Sequence, residues 1–180
     1  MSLVRRIGEV PGLGRIAIVV SERGVVAVEV HSWVDQPPMR HRREPVVDAD
    51  HVVIKAVLGH LESYVFRRTK DFPVACDFTG LPPMTRAAME AVRKVPWGQT
   101  RTYEQLAATI PNATVPVVRD ALARNPLPII IPCHRALGHG HMGLFVGPLA
   151  TKRSLLRIEG LDCTAVPDKP AAGASVRGRV

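Results

Sequence analysis

Residues 14–30 are apolar almost throughout, with a single polar break. Gly14-Arg15-Ile16-Ala17-Ile18-Val19-Val20 is followed by Ser21-Glu22-Arg23-Gly24 and then by Val25-Val26-Ala27-Val28-Glu29-Val30. Two β-branched runs around a short Gly-containing turn predict a β-hairpin. Residues 35–50, rich in Pro, Arg and Asp, predict an exposed loop. Asp50 can then cap a helix over 51–67, with Val53, Val57, Leu61 and Tyr64 or Val65 on one face. Residues 72–78 read as extended, and Thr79-Gly80-Leu81-Pro82-Pro83 as a linker.

The pattern then turns helical. Met84, Ala88 and Val92 form an apolar stripe over 84–95, ended by Pro96-Trp97-Gly98-Gln99. Thr102 caps a short helix over 103–109, and Ile110-Pro111-Asn112-Ala113 is a turn. A second helix starts near Thr114-Val115-Pro116, where proline is tolerated in the first turn, and runs to about Arg124. Two short helices around a tight turn have helix-turn-helix character. Asn125-Pro126-Leu127-Pro128 stops the second of them, and Ile129-Ile130-Ile131 reads as an extended run leading to Cys133. Residues 138–143 read as a flexible loop, and 149–159 as a closing helix with Leu149, Leu155, Leu156 and Ile158 toward the core. The resulting class is α/β in the α+β sense. A small strand-and-helix domain over 1–80 precedes a mainly helical domain over 81–163 and a tail, 164–180, expected to be disordered.

Charge changes this picture only in the second half. Of the +8 net charge, residues 81–163 carry 10 Lys+Arg against 5 Asp+Glu, whereas residues 1–80 carry 11 against 10. A basic half favours a polyanionic partner, most simply nucleic acid. Cys76, Cys133 and Cys163 lie far apart with no paired spacing. That spacing predicts free thiols in a reducing, cytoplasmic setting. The absence of any long apolar span or signal-peptide pattern predicts no membrane association.

The stretch Ile131-Pro132-Cys133-His134-Arg135 carries the chemistry. A thiol becomes a strong nucleophile only when it loses its proton, and an adjacent histidine can take it. Read alone, Cys133 is more readily a buried, inert core thiol. His139 and His141 sit in a Gly loop without a third ligand, so no metal is expected, and no cofactor either.

The order Pro96-Trp97-Gly98-Gln99-Thr100-Arg101-Thr102-Tyr103-Glu104-Gln105-Leu106-Ala107, then Asn125-Pro126 through Pro132-Cys133-His134-Arg135, then Lys152 to Glu159-Gly160, resembles the O6-alkylguanine-DNA alkyltransferases over about 84–160. The resemblance implies direct-reversal DNA repair by a monomer that binds duplex DNA containing an alkylated guanine. The damaged base would be flipped out. Its alkyl group would pass irreversibly to Cys133, once per molecule. The resemblance further implies that His134 takes the thiol proton through a water, Glu159 orients the imidazole, and Tyr103 and Lys152 assist at the guanine. Asn125, Val146, Gly147 and Arg135 would line or brace the substrate pocket. Thr102, Thr114, Arg119 and Arg124 would meet the DNA.

Three departures stand out. The resemblance implies an arginine where Pro116 stands, and Arg119 lies about 4.5 Å further along the helix axis. Arg119-Asp120 also replaces a small glycine pair, and Leu144-Phe145-Val146-Gly147-Pro148 replaces a Gly-Tyr-x-Gly-Gly loop. Two alternatives follow: an alkyl acceptor with a non-guanine or non-duplex substrate, and a non-catalytic module that recognises DNA damage.

Overall fold

The computed structural model describes residues 3–30 and 51–170. The predicted exposed loop 35–50 and its capping Asp50 lie outside them. The hairpin is present as β2 (Gly14–Ser21) and β3 (Gly24–Val30), antiparallel, with Ile16 opposite Val30. A further strand, β1 (Val4–Val10), pairs with β2 from Val4↔Val20 to Val10↔Gly14 and gives the sheet order β1-β2-β3. Its adjacent arginines, Arg5 and Arg6, hide it from a hydrophobic pattern. An edge strand, half-exposed as this one is, tolerates such charges.

Helix α1 (Val52–Val65) lies across this sheet with Ile54, Val57, Leu61 and Tyr64 buried. Ile54, rather than the expected Val53, completes the stripe, and Val53 is exposed. The close approach depends on Gly8, where a Cβ would stand 2.7 Å from Leu58 Cδ1. Residues 72–78 meet the sheet through the Ser21 Oγ to Asp77 Oδ2 hydrogen bond at 2.6 Å and the bridge Val25↔Cys76. There Gly24, at φ +140°, leaves room for the Ala75 carbonyl, which accepts from Val25 N at 2.8 Å.

Helix α2 (Pro83–Arg93) buries Ala88, Met89 and Val92, while Met84 is only partly covered. Strand β4 (Arg101–Thr102) pairs in parallel with β5 (Ala136–Leu137). Helix α3 (Tyr103–Ala107) begins with a full capping box, in which Thr102 Oγ1 accepts from Gln105 N and Gln105 Oε1 accepts from Thr102 N. Helix α4 (Val115–Ala123) follows the predicted turn, with Pro116 in its first turn.

Residues 129–131 are not the extended run that their apolar character suggested. Ile129 takes φ +73° and Ile131 N bonds back to Leu127 O at 2.8 Å, so the segment is a tight turn. A β-branched residue at positive φ is strained. Ile129 is held there by complete burial. Likewise the loop over 138–143 is closed by a bridge, Gly138↔His141, with Met142 fully buried. Helix α5 (Leu149–Ile158) buries Lys152, Leu155 and Leu156, and leaves Leu149 and Ile158 half-covered. Residues 163–168, partly assigned to the tail by sequence, are tied down: Arg153 donates to Cys163 O, Val166 O and Asp168 Oδ1, and Met142 N donates to Pro167 O.

The buried core is continuous from the sheet through α1 into α2–α5. One backbone bond sets how the sheet meets the cysteine segment, Val28 N to Pro126 O at 2.8 Å. Among the described residues no helix is long and apolar enough to cross a membrane.

Candidate active site

Cys133 opens a single 3₁₀ turn, Cys133–Arg135, immediately before β5. Asn125, just after α4, staples the loop that delivers it. The Asn125 Oδ1 accepts from Leu127 N at 2.9 Å, and its Nδ2 donates to Ile131 O at 2.8 Å. Cys133 is 3% exposed. Burial pushes its thiol pKa up, opposed by hydrogen bonding with Asn125 and by the charge of Lys152. At rest the sulfur is therefore protonated and needs a base.

His134 lies next to it, fully buried, with Nε2 2.7 Å from Glu159 Oε1. Glu159 is the C-cap of α5. Gly160 at φ +89° stops the helix there, with Gly160 N bonding to Arg157 O and Leu161 N to Leu156 O. The carboxylate is wrapped by donors. Arg135 Nε meets Oε2 at 2.9 Å, Arg135 Nη2 meets Oε1 at 3.0 Å, Gly98 N meets Oε2 at 3.2 Å and Tyr64 Oη meets Oε1 at 2.8 Å. Burial alone would raise the Glu159 pKa, but hydrogen bonds from His134 and Arg135, the Arg135 charge and, once the imidazole is protonated, the His134 charge prevail and hold it at about 2.

An ionised carboxylate only accepts. His134 therefore carries its hydrogen on Nε2 and leaves Nδ1 with a lone pair. Nδ1 is buried and bonds to no described residue. Burial lowers the His134 pKa, against the pull of Glu159, and the charges of Arg135 and Lys152 lower it further. The imidazole is neutral at rest and so is able to accept a proton beside the thiol.

The stability contribution of Glu159 has a defined pH window. The folded carboxyl titrates near 2 against an ordinary 4.5. The contribution is fully present above the unfolded value and is lost as pH falls through the folded one. A displacement of that size is worth about 3 kcal/mol. Urea unfolding is expected to show that loss between about pH 4.5 and 2. In a Glu159→Gln variant the same interval should show a loss smaller by about that amount. Equal losses in the two proteins would rule out this assignment.

Tyr103 and Lys152 stand on the other side. Tyr103 Oη accepts from Leu144 N at 2.9 Å and donates to Leu144 O at 3.2 Å. Burial pushes it up to about 12, so it remains a donor. Gly143, at φ +72°, makes room for it, since a Cβ there would lie 2.6 Å from Tyr103 Oη. Lys152 is fully buried and spends its three N–H bonds on the carbonyls of Ala136, Met142 and Leu144, at 2.6, 2.6 and 3.0 Å. Burial lowers its pKa to about 8, so the ammonium persists at neutral pH.

Residues 83–161 match the family described as the 6-O-methylguanine DNA methyltransferase DNA binding domain. A methylated-DNA–protein-cysteine methyltransferase of Methanothermobacter thermautotrophicus is 30% identical over 154 residues, covering 81% of this chain and 80% of the relative. The chain belongs to the methylated-DNA–protein-cysteine methyltransferase family. A relative of the same name from Sulfolobus acidocaldarius is 25% identical over 86% of this chain and 92% of its own. The fold agrees with a Mycobacterium tuberculosis O6-methylguanine methyltransferase structure. Its TM-score is 0.74 at 24% identity, over 87% of this chain and 92% of that one.

Within this methyltransferase the expected residues fall into two groups. Cys133, His134, Glu159, Lys152, Tyr103 and Asn125 are all buried around one segment. Arg135 joins them from below. Its guanidinium grips Glu159 and donates to Val95 O at 2.6 Å. Val146 and Gly147 lie in the more open loop before α5, Val146 being 36% exposed. Thr102 has its hydroxyl in the capping box, Thr114 is the N-cap of α4 without a side-chain cap bond, and Arg124 is exposed at the end of α4. Arg119 is exposed but paired with Asp120 at 3.0 Å. His141 Nδ1 accepts from Gly143 N and so braces its own turn. Among the described residues no group of three or more His, Cys, Asp or Glu side chains gathers as a metal site.

Sequence reasoning missed Tyr64 and Gly98. Tyr64 was readable only as part of an apolar helix face. The available signal was that a buried tyrosine hydroxyl must find a partner, and the partner comes from a segment 95 residues away.

Proposed function

We propose that this protein repairs DNA by direct reversal, transferring the alkyl group of an O6-alkylguanine irreversibly to Cys133. The observation that carries this reading is the buried Cys133–His134–Glu159 arrangement, with the imidazole tautomer set by an ionised carboxylate. The Cys133 proton passes to His134 Nδ1 through a water. The thiolate attacks the alkyl carbon, and the S–C bond forms as the C–O6 bond breaks. The electron pair leaves on guanine O6, and the Tyr103 hydroxyl, exchanging its bond to Leu144 O, donates toward the guanine ring as negative charge develops there. Lys152 fixes the surrounding carbonyls and adds positive charge. The product thioether is stable, so each molecule acts once. Asn125 braces the cysteine loop, Arg135 braces Glu159, and Val146 and Gly147 border the base. Thr102, Thr114, Arg119 and Arg124 face duplex DNA. In this reading residues 81–163 bind DNA and carry the chemistry, residues 1–80 form the other domain, and the protein works as a cytoplasmic monomer.

The test is intact-protein mass after incubation with a duplex containing O6-methylguanine. A gain of one methyl group on the Cys133 peptide is expected. No gain, with Cys133 still reactive to a small thiol reagent, overturns the substrate assignment. A second reading, an alkyl acceptor with another substrate, is favoured by the Arg119–Asp120 pair, which offsets the charge of Arg119 on α4. If Arg119 meets phosphate, Arg119→Ala should flatten the salt dependence of duplex binding by about one in log–log slope. An unchanged slope in filter-binding titrations would favour the second reading.

A further inference from the structure

We infer that Tyr64, from the amino-terminal half, is a positioning residue for the base that activates Cys133. Its hydroxyl lies 2.8 Å from Glu159 Oε1 and 3.2 Å from His134 Nε2, with the side chain wholly buried. Because Glu159 is ionised, the Tyr64 hydrogen points at Oε1. The phenolic oxygen then turns its lone pairs toward the Nε2–H of His134. The three groups close into a ring in which Nε2–H is shared between a carboxylate oxygen and a phenol oxygen.

Packing sets this geometry. The Tyr64 ring meets Trp97 edge-on at 5.2 Å and Phe72 at 5.6 Å. It sits at the end of α1, so the sheet-and-helix half decides where the hydroxyl stands. A core tyrosine needs only one acceptor. This one uses the carboxylate that orients the histidine and also faces the histidine itself.

When His134 takes the thiol proton, two nearby cations oppose its charge. Arg135 is bound to the same carboxylate, and Lys152 lies on the opposite side. Of the charged groups acting on the ring, Glu159 favours the imidazolium while Arg135 and Lys152 oppose it, and Cys133 is its chain neighbour. An extra acceptor at Nε2 therefore raises the basicity of His134. Without it the base weakens, and the thiolate forms only at higher pH.

This inference rests on reading His134 as the base, and its test uses no DNA. The rate of Cys133 alkylation by iodoacetamide is followed across pH by peptide mass spectrometry in the full chain. For Tyr64→Phe, which keeps the ring, the rate at pH 7 should fall roughly 3- to 10-fold and the rising limb should move up by about half a pH unit or more. Trp97→Phe, which loosens packing without touching the hydroxyl, should lower Tm and leave the limb in place. The inference is overturned if Tyr64→Phe lowers Tm but not the rate, or if Trp97→Phe moves the limb equally.

His134→Gln separates the two levels. If it leaves the limb unmoved, the base reading itself fails. If it moves the limb while Tyr64→Phe does not, only the role of Tyr64 fails. In the unsubstituted protein, proton NMR should show a slowly exchanging Tyr64 hydroxyl with a cross-peak to the His134 Nε2 proton. Its absence overturns the ring without recourse to any variant.

Discussion

Cys133→Ala is expected to abolish methyl transfer completely, with no methyl gain at any residue after prolonged incubation with a methylated duplex. Neither remaining thiol can replace it. Cys76 bridges to β3, and Cys163 lies beyond α5, its carbonyl taken by Arg153. The substitution removes one buried sulfur, which costs about 1 kcal/mol and leaves the fold intact. The surface proposed to meet DNA, around α3 and α4, lies elsewhere. Duplex affinity in a gel-shift titration should therefore stay within about two-fold, a change below 0.5 kcal/mol. Methyl transfer to the Ala variant would remove Cys133 from the chemistry. Lost binding would mean that the thiol also holds the DNA-facing surface in place.

Glu159→Gln should cost both stability and reactivity, although the side chain keeps its shape. Among the described residues six donor contacts from four groups converge on this carboxylate, and one of those groups, Arg135, carries a fixed charge at 8% side-chain exposure. A neutral amide leaves that charge uncompensated, at a cost of about 3–5 kcal/mol. The amide NH₂ must also face one of the donors. His134 loses the partner that sets its tautomer, and by analogy with other triads the transfer rate should drop roughly 10²- to 10⁴-fold. Urea unfolding and single-turnover transfer measure the two effects separately. A variant with near-parental stability would show that Arg135 has another counter-charge.

Individual elements show how far the chain could be read without its fold. The Thr102 cap of α3 was legible because a cap and the helix it starts lie within one turn, although the return bond from Gln105 that completes the box was not read. The hairpin β2–β3 was legible because its two runs flank a two-residue turn. β1 was not, because an edge strand does not need an apolar pattern, and Arg5 and Arg6 broke the one it had. The turn at Ile129 was not, because nothing local makes a β-branched residue adopt positive φ. Burial of Ile129 and the hydrogen bonds that close the turn around it, Ile131 N to Leu127 O and Asn125 Nδ2 to Ile131 O, hold it there.

The site divides in the same way. Cys133, His134 and Arg135 are neighbours in the chain, and their residue types alone point to thiol chemistry. Whether that thiol is inert or activated depends on groups far apart in sequence. Glu159 comes from α5, Tyr64 from α1 and the Gly98 amide from the turn after α2. Lys152 illustrates the limit most sharply. On a helix wheel it is an ordinary solvated charge, yet the fold buries it and occupies all three of its N–H bonds with carbonyls. Local pattern determines which groups are available and which segments turn or cap, because those interactions span a few residues. Burial and long-range donors determine ionisation, tautomer and reactivity, because each depends on the dielectric and on charges that only tertiary packing brings together.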